Sequence, residues 1–159
     1  MIKELEKTKD GFEGKVLFSM FEMDIYIQSF EEVDIKYAEK CAAALNGLNE
    51  RIINLLCEYS VHYCRDFCES VGEDCPEITN TKDILKYIQP LGLTISSPKD
   101  NDVVLDLELN CTWEGEHGME WLIKGNEILY VGSFSGVSAY EEKAYYEEML
   151  GNYAFGNTL

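Results

Sequence analysis

The chain has 159 residues and a mass of 18.2 kDa, room for one domain and too little for a large two-domain enzyme. Thirty acids against thirteen bases give a formal charge of −17, and residues 101–159 hold eleven of those acids against two bases, Lys124 and Lys143. This balance argues against a nucleic-acid backbone or an anionic membrane surface as partner, since both require clustered Lys and Arg, and it permits a basic protein.

No apolar run approaches the length of a bilayer span, and Met1–Lys7 lacks the apolar stretch of a secretory signal. The expectation is a cytoplasmic protein with reduced cysteines. Charged residues 1–12 predict a loose lead-in. Aromatic and β-branched residues from Lys15 to Phe30 predict a hairpin, 15–20 with 24–30, with Ile25 and Ile27 facing away from Asp24, Tyr26 and Gln28. Asp34 is placed to cap a helix from Ile35, which Asn46-Gly47 interrupts. A longer helix then runs from about Leu48 to Val71 and stops at Gly72. Its broad apolar stripe, Ile52, Ile53, Leu56, Cys57, Ser60, Tyr63, Cys64, Phe67 and Cys68, suits packing across a sheet or cover on two sides.

Thr81 is read as the cap of a short helix ending near Tyr87, and Leu91–Ser96 as a short strand. The clearest alternation follows: Val103, Leu105, Leu107, Leu109 and Cys111 against Val104, Asp106, Glu108, Asn110 and Thr112, a strand with one wet face. Met119, Trp121 and Ile123 repeat the inward phase, and Gly125-Asn126 predicts a type II′ hairpin turn into Glu127–Val131. Ser138 and Glu141 form a capping box for a helix over 139–150, with 151–159 a frayed tail. The whole is a single domain over 1–159, an α+β fold with a mostly antiparallel sheet and helices packed on one face.

Six cysteines, at 41, 57, 64, 68, 75 and 111, form no Cys-x-x-Cys pair. Cys64 and Cys68, one helical turn apart, could join Cys75 and His62 around a metal. His62 lies well around the helix from Cys64, however, and cysteine is an ordinary core residue, so no metal is assigned. Glu116 and His117 could converge in a turn, and a metal site there would need Glu114, His117 and Glu120 with a fourth ligand from elsewhere. The alternative function is a small-molecule-binding or metal-assisted hydrolytic domain using Glu114, Glu116 and His117 of the 114–120 cluster. Cys111 falls on the apolar phase of its strand, where a thiol keeps its proton. No motif for nucleophilic, nucleotide or zinc-protease chemistry is present, so no catalytic residue and no cofactor is assigned.

What remains is a pattern of acids interleaved with aromatics, suited to a basic protein partner. The candidate partner-binding residues are Trp113, Glu114, Glu116 and His117 in one cluster and Tyr140, Glu141, Glu142 and Tyr146 in another. The competing reading has most of the C-terminal tyrosines anchoring a helix to the sheet. A homo-oligomer is the third possibility.

The segment Leu107–Val131 carries a resemblance. Its alternating strand leads into Cys111-x-Trp113-x-x-Glu116-His117-Gly118, then an apolar strand, Gly125-Asn126, and a strand ending Val131-Gly132. This resembles small bacterial domains of the DUF6985 and DUF2004-like kind, some of them presumed immunity proteins beside polymorphic toxins. The N-terminal hairpin followed by a tyrosine-bearing apolar helix is similar to the same layout. The resemblance implies a cytoplasmic, non-enzymatic bacterial protein, an antidote that binds a basic toxin, and brings no catalytic residues with it.

Overall fold

Strands β1 (Lys3–Lys7), β2 (Phe12–Phe18), β3 (Met23–Ser29), β4 (Ile88–Thr94), β5 (Val104–Cys111), β6 (Met119–Lys124) and β7 (Glu127–Ser133) lie side by side in chain order. The computed structural model describes residues 1–159. Each neighbouring pair is antiparallel except β3 with β4. That pair is parallel because α1 (Ile35–Asn46), α2 (Glu50–Val71) and a 3₁₀ turn (Thr81–Tyr87) carry the chain back over the sheet between them. The fold is α+β with a mostly antiparallel sheet.

The caps explain the helix boundaries. Asp34 accepts from the Lys36 N–H to start α1, Asn49 accepts from the Ile52 N–H to start α2, and Gly72, at φ +72°, ends it. Both helices pack on the inner face of the sheet. Ala38, Cys41 and Leu45 of α1 and Leu56, Ser60 and Cys64 of α2 are buried with Phe18, Ile27, Leu107 and Trp121 of the strands. The Trp121 indole N–H donates to the Ser60 hydroxyl at 3.0 Å, which accounts for a polar residue in the helix's apolar stripe.

Several boundaries differ from expectation, each for a physical reason. Residues 1–12 are not loose: Ile2 is buried and β1 pairs with β2, Lys7 opposite Phe12. Lys-Glu-Leu-Glu-Lys shows no apolar alternation because β1 is an exposed edge, where charge discourages pairing with other chains. The first hairpin turns through a 3₁₀ turn at Ser19–Phe21, with Glu22 in the left-handed region. Asn80, not Thr81, caps the 81–87 segment, in a reciprocal capping box with Asp83. Strand β4 runs through Pro90 because the register slips between Pro90 and Gly92 and β3 pairs only from Gly92 onward.

The C-terminal helix is shorter than expected, α3 at Lys143–Glu148, because the Ser138 hydroxyl accepts from Tyr140 and folds a local turn instead. Residues 151–159 are not frayed. The buried Asn152 amide accepts from the Val131 N–H at 3.3 Å and donates to the Leu129 carbonyl at 2.9 Å, standing in for a further strand at the β7 edge. Tyr153 then packs on Tyr63, ring centroids 5.1 Å apart, and its hydroxyl donates to Asp66 at 2.6 Å. The tail thus wraps from the outer face of the sheet around β7 to α2. Gly132 permits it: a Cβ there would stand 2.3 Å from the Gly151 carbonyl oxygen. The Gly125-Asn126 turn is as expected, with Lys124 opposite Glu127 and Gly125 at φ +57°. No helix is long and apolar enough to cross a membrane.

Candidate functional site

The loop 112–118 joins β5 to β6 and is organised around Glu114. Its buried carboxylate accepts from the Glu116 N–H at 2.8 Å and the His117 N–H at 3.1 Å, and pairs with His117 Nδ1 at 3.3 Å. Trp113 is also buried, its ring edge-on to Tyr63 at 5.7 Å. Trp113 and Glu114 therefore build the loop and offer a partner almost no surface, whereas Glu116 and His117 stand in solvent, the latter 70% exposed. Glu120 does not join Glu114 and His117. Its neighbours Met119 and Trp121 point into the helix-side core, so Glu120 points to the opposite face, and the proposed three-ligand set does not form. Cys111 is buried, its thiol pushed up to about 12 chiefly by burial, while His117 stays at the surface; the two make no nucleophile–base pair.

The second predicted cluster divides in the same way. Tyr146 is buried, donating to the Ser138 carbonyl at 2.6 Å and accepting from the Glu141 N–H at 3.0 Å. Tyr140 is half-buried beneath the Lys99 and Lys124 ammonium groups, 5.1 and 4.8 Å from its ring centre. Glu141 and Glu142 remain exposed. The anchoring reading of these tyrosines holds for Tyr146 and Tyr153.

The outer face of the sheet presents an arrangement that these clusters did not anticipate. Strand register lines up Tyr26 on β3, Gly92 on β4, Glu108 on β5 and Glu120 on β6 in one row across the strands. The next row holds Gln28, Thr94, Asp106 and Leu122. Glu108 and Glu120 are directly opposite, an unfavourable like-charge pair. No lysine, arginine or histidine forms an ion pair with Asp106, Glu108 or Glu120. The lysines near this face are engaged elsewhere, Lys3 with Asp24 and Lys15 with Glu4, both at 2.7 Å.

Burial, then the nearby Glu120 and Glu108, push the Asp106 carboxyl up to about 7. Burial also raises Glu120, against the pull of three hydrogen bonds on Oε2 from the Ser135 N–H and hydroxyl and the Gly136 N–H. Oε1 of Glu120 is buried with no partner. Sequence alternation did place Asp106 and Glu108 on one face. Pairing them with Glu120 needed the register across a seven-residue loop, which local periodicity does not contain.

Among side chains that could hold a metal, Cys64, Cys68 and Cys75 come together, their sulfurs all within 4.8 Å of one another. His62 is exposed and outside the group.

A family model for DUF6985, a domain of unknown function, matches residues 1–138. The chain belongs to the DUF6985 family. No curated protein and no solved structure matches it. The matched span contains the whole sheet, the row from Tyr26 to Glu120 and the 133–136 loop that holds Glu120; Tyr140, Glu141, Glu142 and Tyr146 lie beyond it.

Proposed function

We propose that this DUF6985 protein is a binding module that receives a basic segment of a partner protein across the outer face of its sheet, with no chemistry of its own. One observation supports the reading: the row Lys15–Tyr26–Gly92–Glu108 sets an exposed aromatic, beside a Lys15 that Glu4 neutralises, across a glycine from the Glu108 carboxylate, which no basic side chain pairs. Gly92 has no side chain to fill the gap between them, which spans two interstrand steps, about 9–10 Å. A lysine or arginine stem fits across the glycine, its aliphatic part against Tyr26 and its charge toward Glu108 and Asp106. A bound cation would also relieve the like-charge strain of Glu108 against Glu120. Glu141 and Glu142, exposed on the segment covering the neighbouring strands, and Glu116 add long-range attraction that speeds encounter.

The finer form of the proposal makes the partner a basic toxin that the protein occludes, in keeping with the resemblance to immunity-type domains and a charge of −17. The test is calorimetric titration of the purified protein with the products of the genes flanking its own, at low and high salt. A basic product should bind, weaken steeply with salt, and lose affinity at least about tenfold with Tyr26→Ala or Glu108→Gln. Binding indifferent to salt and to both substitutions would overturn the acidic-face reading. No binding by either product would overturn the toxin form, and a dimer on sizing that disappears with Tyr26→Ala would assign the face to a second copy instead.

A further inference from the structure

Cys64 and Cys68 lie one turn apart near the end of α2, and both are buried. Gly72 then reverses the chain: its N–H and that of Glu73 return to the Cys68 carbonyl, a Schellman-type ending. Three residues later Cys75 lies back against the last turns of the helix, its sulfur 3.6 Å from the Cys64 carbonyl and 3.9 Å from that of Arg65. Three thiols from two separate stretches of chain thus converge within 4.8 Å, which core packing alone does not require of the exposed Cys75. A zinc ion with sulfur ligands at about 2.3 Å in tetrahedral geometry places those sulfurs about 3.8 Å apart, within reach of small side-chain adjustments.

Cys68 and Cys75 adjoin a surface cleft of about 410 Å³, lined also by Glu73, Asp74, Tyr87 and Trp113, with Cys64 buried beneath them. The indole N–H of Trp113, which lines the same cleft, is buried without a protein partner.

We propose that Cys64, Cys68 and Cys75 form a binding site for a thiophilic metal ion, Zn²⁺, completed by a carboxylate of Glu73 or Asp74 or by water. Binding exchanges three S–H protons, released to solvent, for three metal–sulfur bonds. The site lies at the end of α2, on the helix side of the sheet, and is independent of the acidic row on the outer face.

The test uses the full chain, fully reduced, with Zn²⁺ alone as probe in competition with a colorimetric chelator, and Co²⁺ as a spectroscopic substitute. The expected result is one Zn²⁺ per chain and a thiolate-to-cobalt charge-transfer band. Cys75→Ser, a surface change that leaves the core intact, should weaken Zn²⁺ at least about 100-fold and diminish the band. His62→Ala should change neither. Uptake of no Zn²⁺ by the reduced protein, or equal uptake by Cys75→Ser, would overturn the proposal.

Discussion

On β6 and β7 the outward side chains Glu120, Leu122 and Tyr130 are buried beneath residues 134–149, whereas on β2 and β3 the outward Leu17 and Tyr26 are 45% and 63% exposed. The same sheet is therefore covered on both faces at one end and on one face at the other. The covered end gains a second small core, with Val104, Leu122, Leu129, Tyr130, Ala139 and Tyr146 packed together. The bare end keeps an aromatic and an apolar side chain in water, and the boundary between the two ends is the carboxylate group of Asp106, Glu108 and Glu120. Removing side chains should therefore cost stability at the covered end and little at the bare one, where the proposed partner would bind.

The largest expected loss is Trp121→Ala, on the inner face that both ends share. Trp121 is fully buried between α2 and the sheet, and its loss should cost roughly 3–5 kcal/mol in urea unfolding. Asn152→Ala comes next, about 2–3 kcal/mol, because Val131, Leu129 and Tyr146 would each lose a buried hydrogen-bond partner. A smaller loss, under 1 kcal/mol, would mean that the tail is not what seals the β7 edge.

At the boundary, Asp106→Asn tests the carboxylates through pH. The Asp106 pKa is raised in the fold from 3.8 to about 7, so the folded state holds a proton that the unfolded chain releases between about pH 4 and 7. Stability contributed by that proton is present below pH 4 and falls as pH rises through the window. Asp106→Asn should flatten the fall, leaving the variant on the order of 2 kcal/mol more stable than the parent near pH 8, after allowance for partial solvent screening. Near pH 4 the two should agree. Parallel pH curves would remove the carboxylate interaction from the account. The smallest stability effect belongs to the bare end: Tyr26→Ala should shift unfolding by no more than about 0.5 kcal/mol while weakening the partner. A loss above 1 kcal/mol would erase the distinction between the two ends.

Much of the fold was legible from residue spacing. The inward phase of Leu105, Leu107, Leu109 and Trp121, the Asp34 cap, the Gly72 stop and the Gly125-Asn126 turn all depend on neighbours within a few positions. The candidate site was less legible. Trp113 and Tyr146 look like recognition residues because acids flank them, yet the chain folds their rings inward and leaves the acids in solvent. Tyr26 looked like one half of an ordinary wet strand face, and only its alignment with Gly92 and Glu108 separates it from other exposed tyrosines.

Local order along the chain set which stretches become strand or helix and which side of each is apolar, because those properties follow from periodicity and caps. It also set the net charge of −17. The assembled fold set which wet faces are covered and which carboxylates meet. Those outcomes depend on register across loops and on contacts between distant segments, such as Asn152 against β7, which exist only once the sheet is assembled.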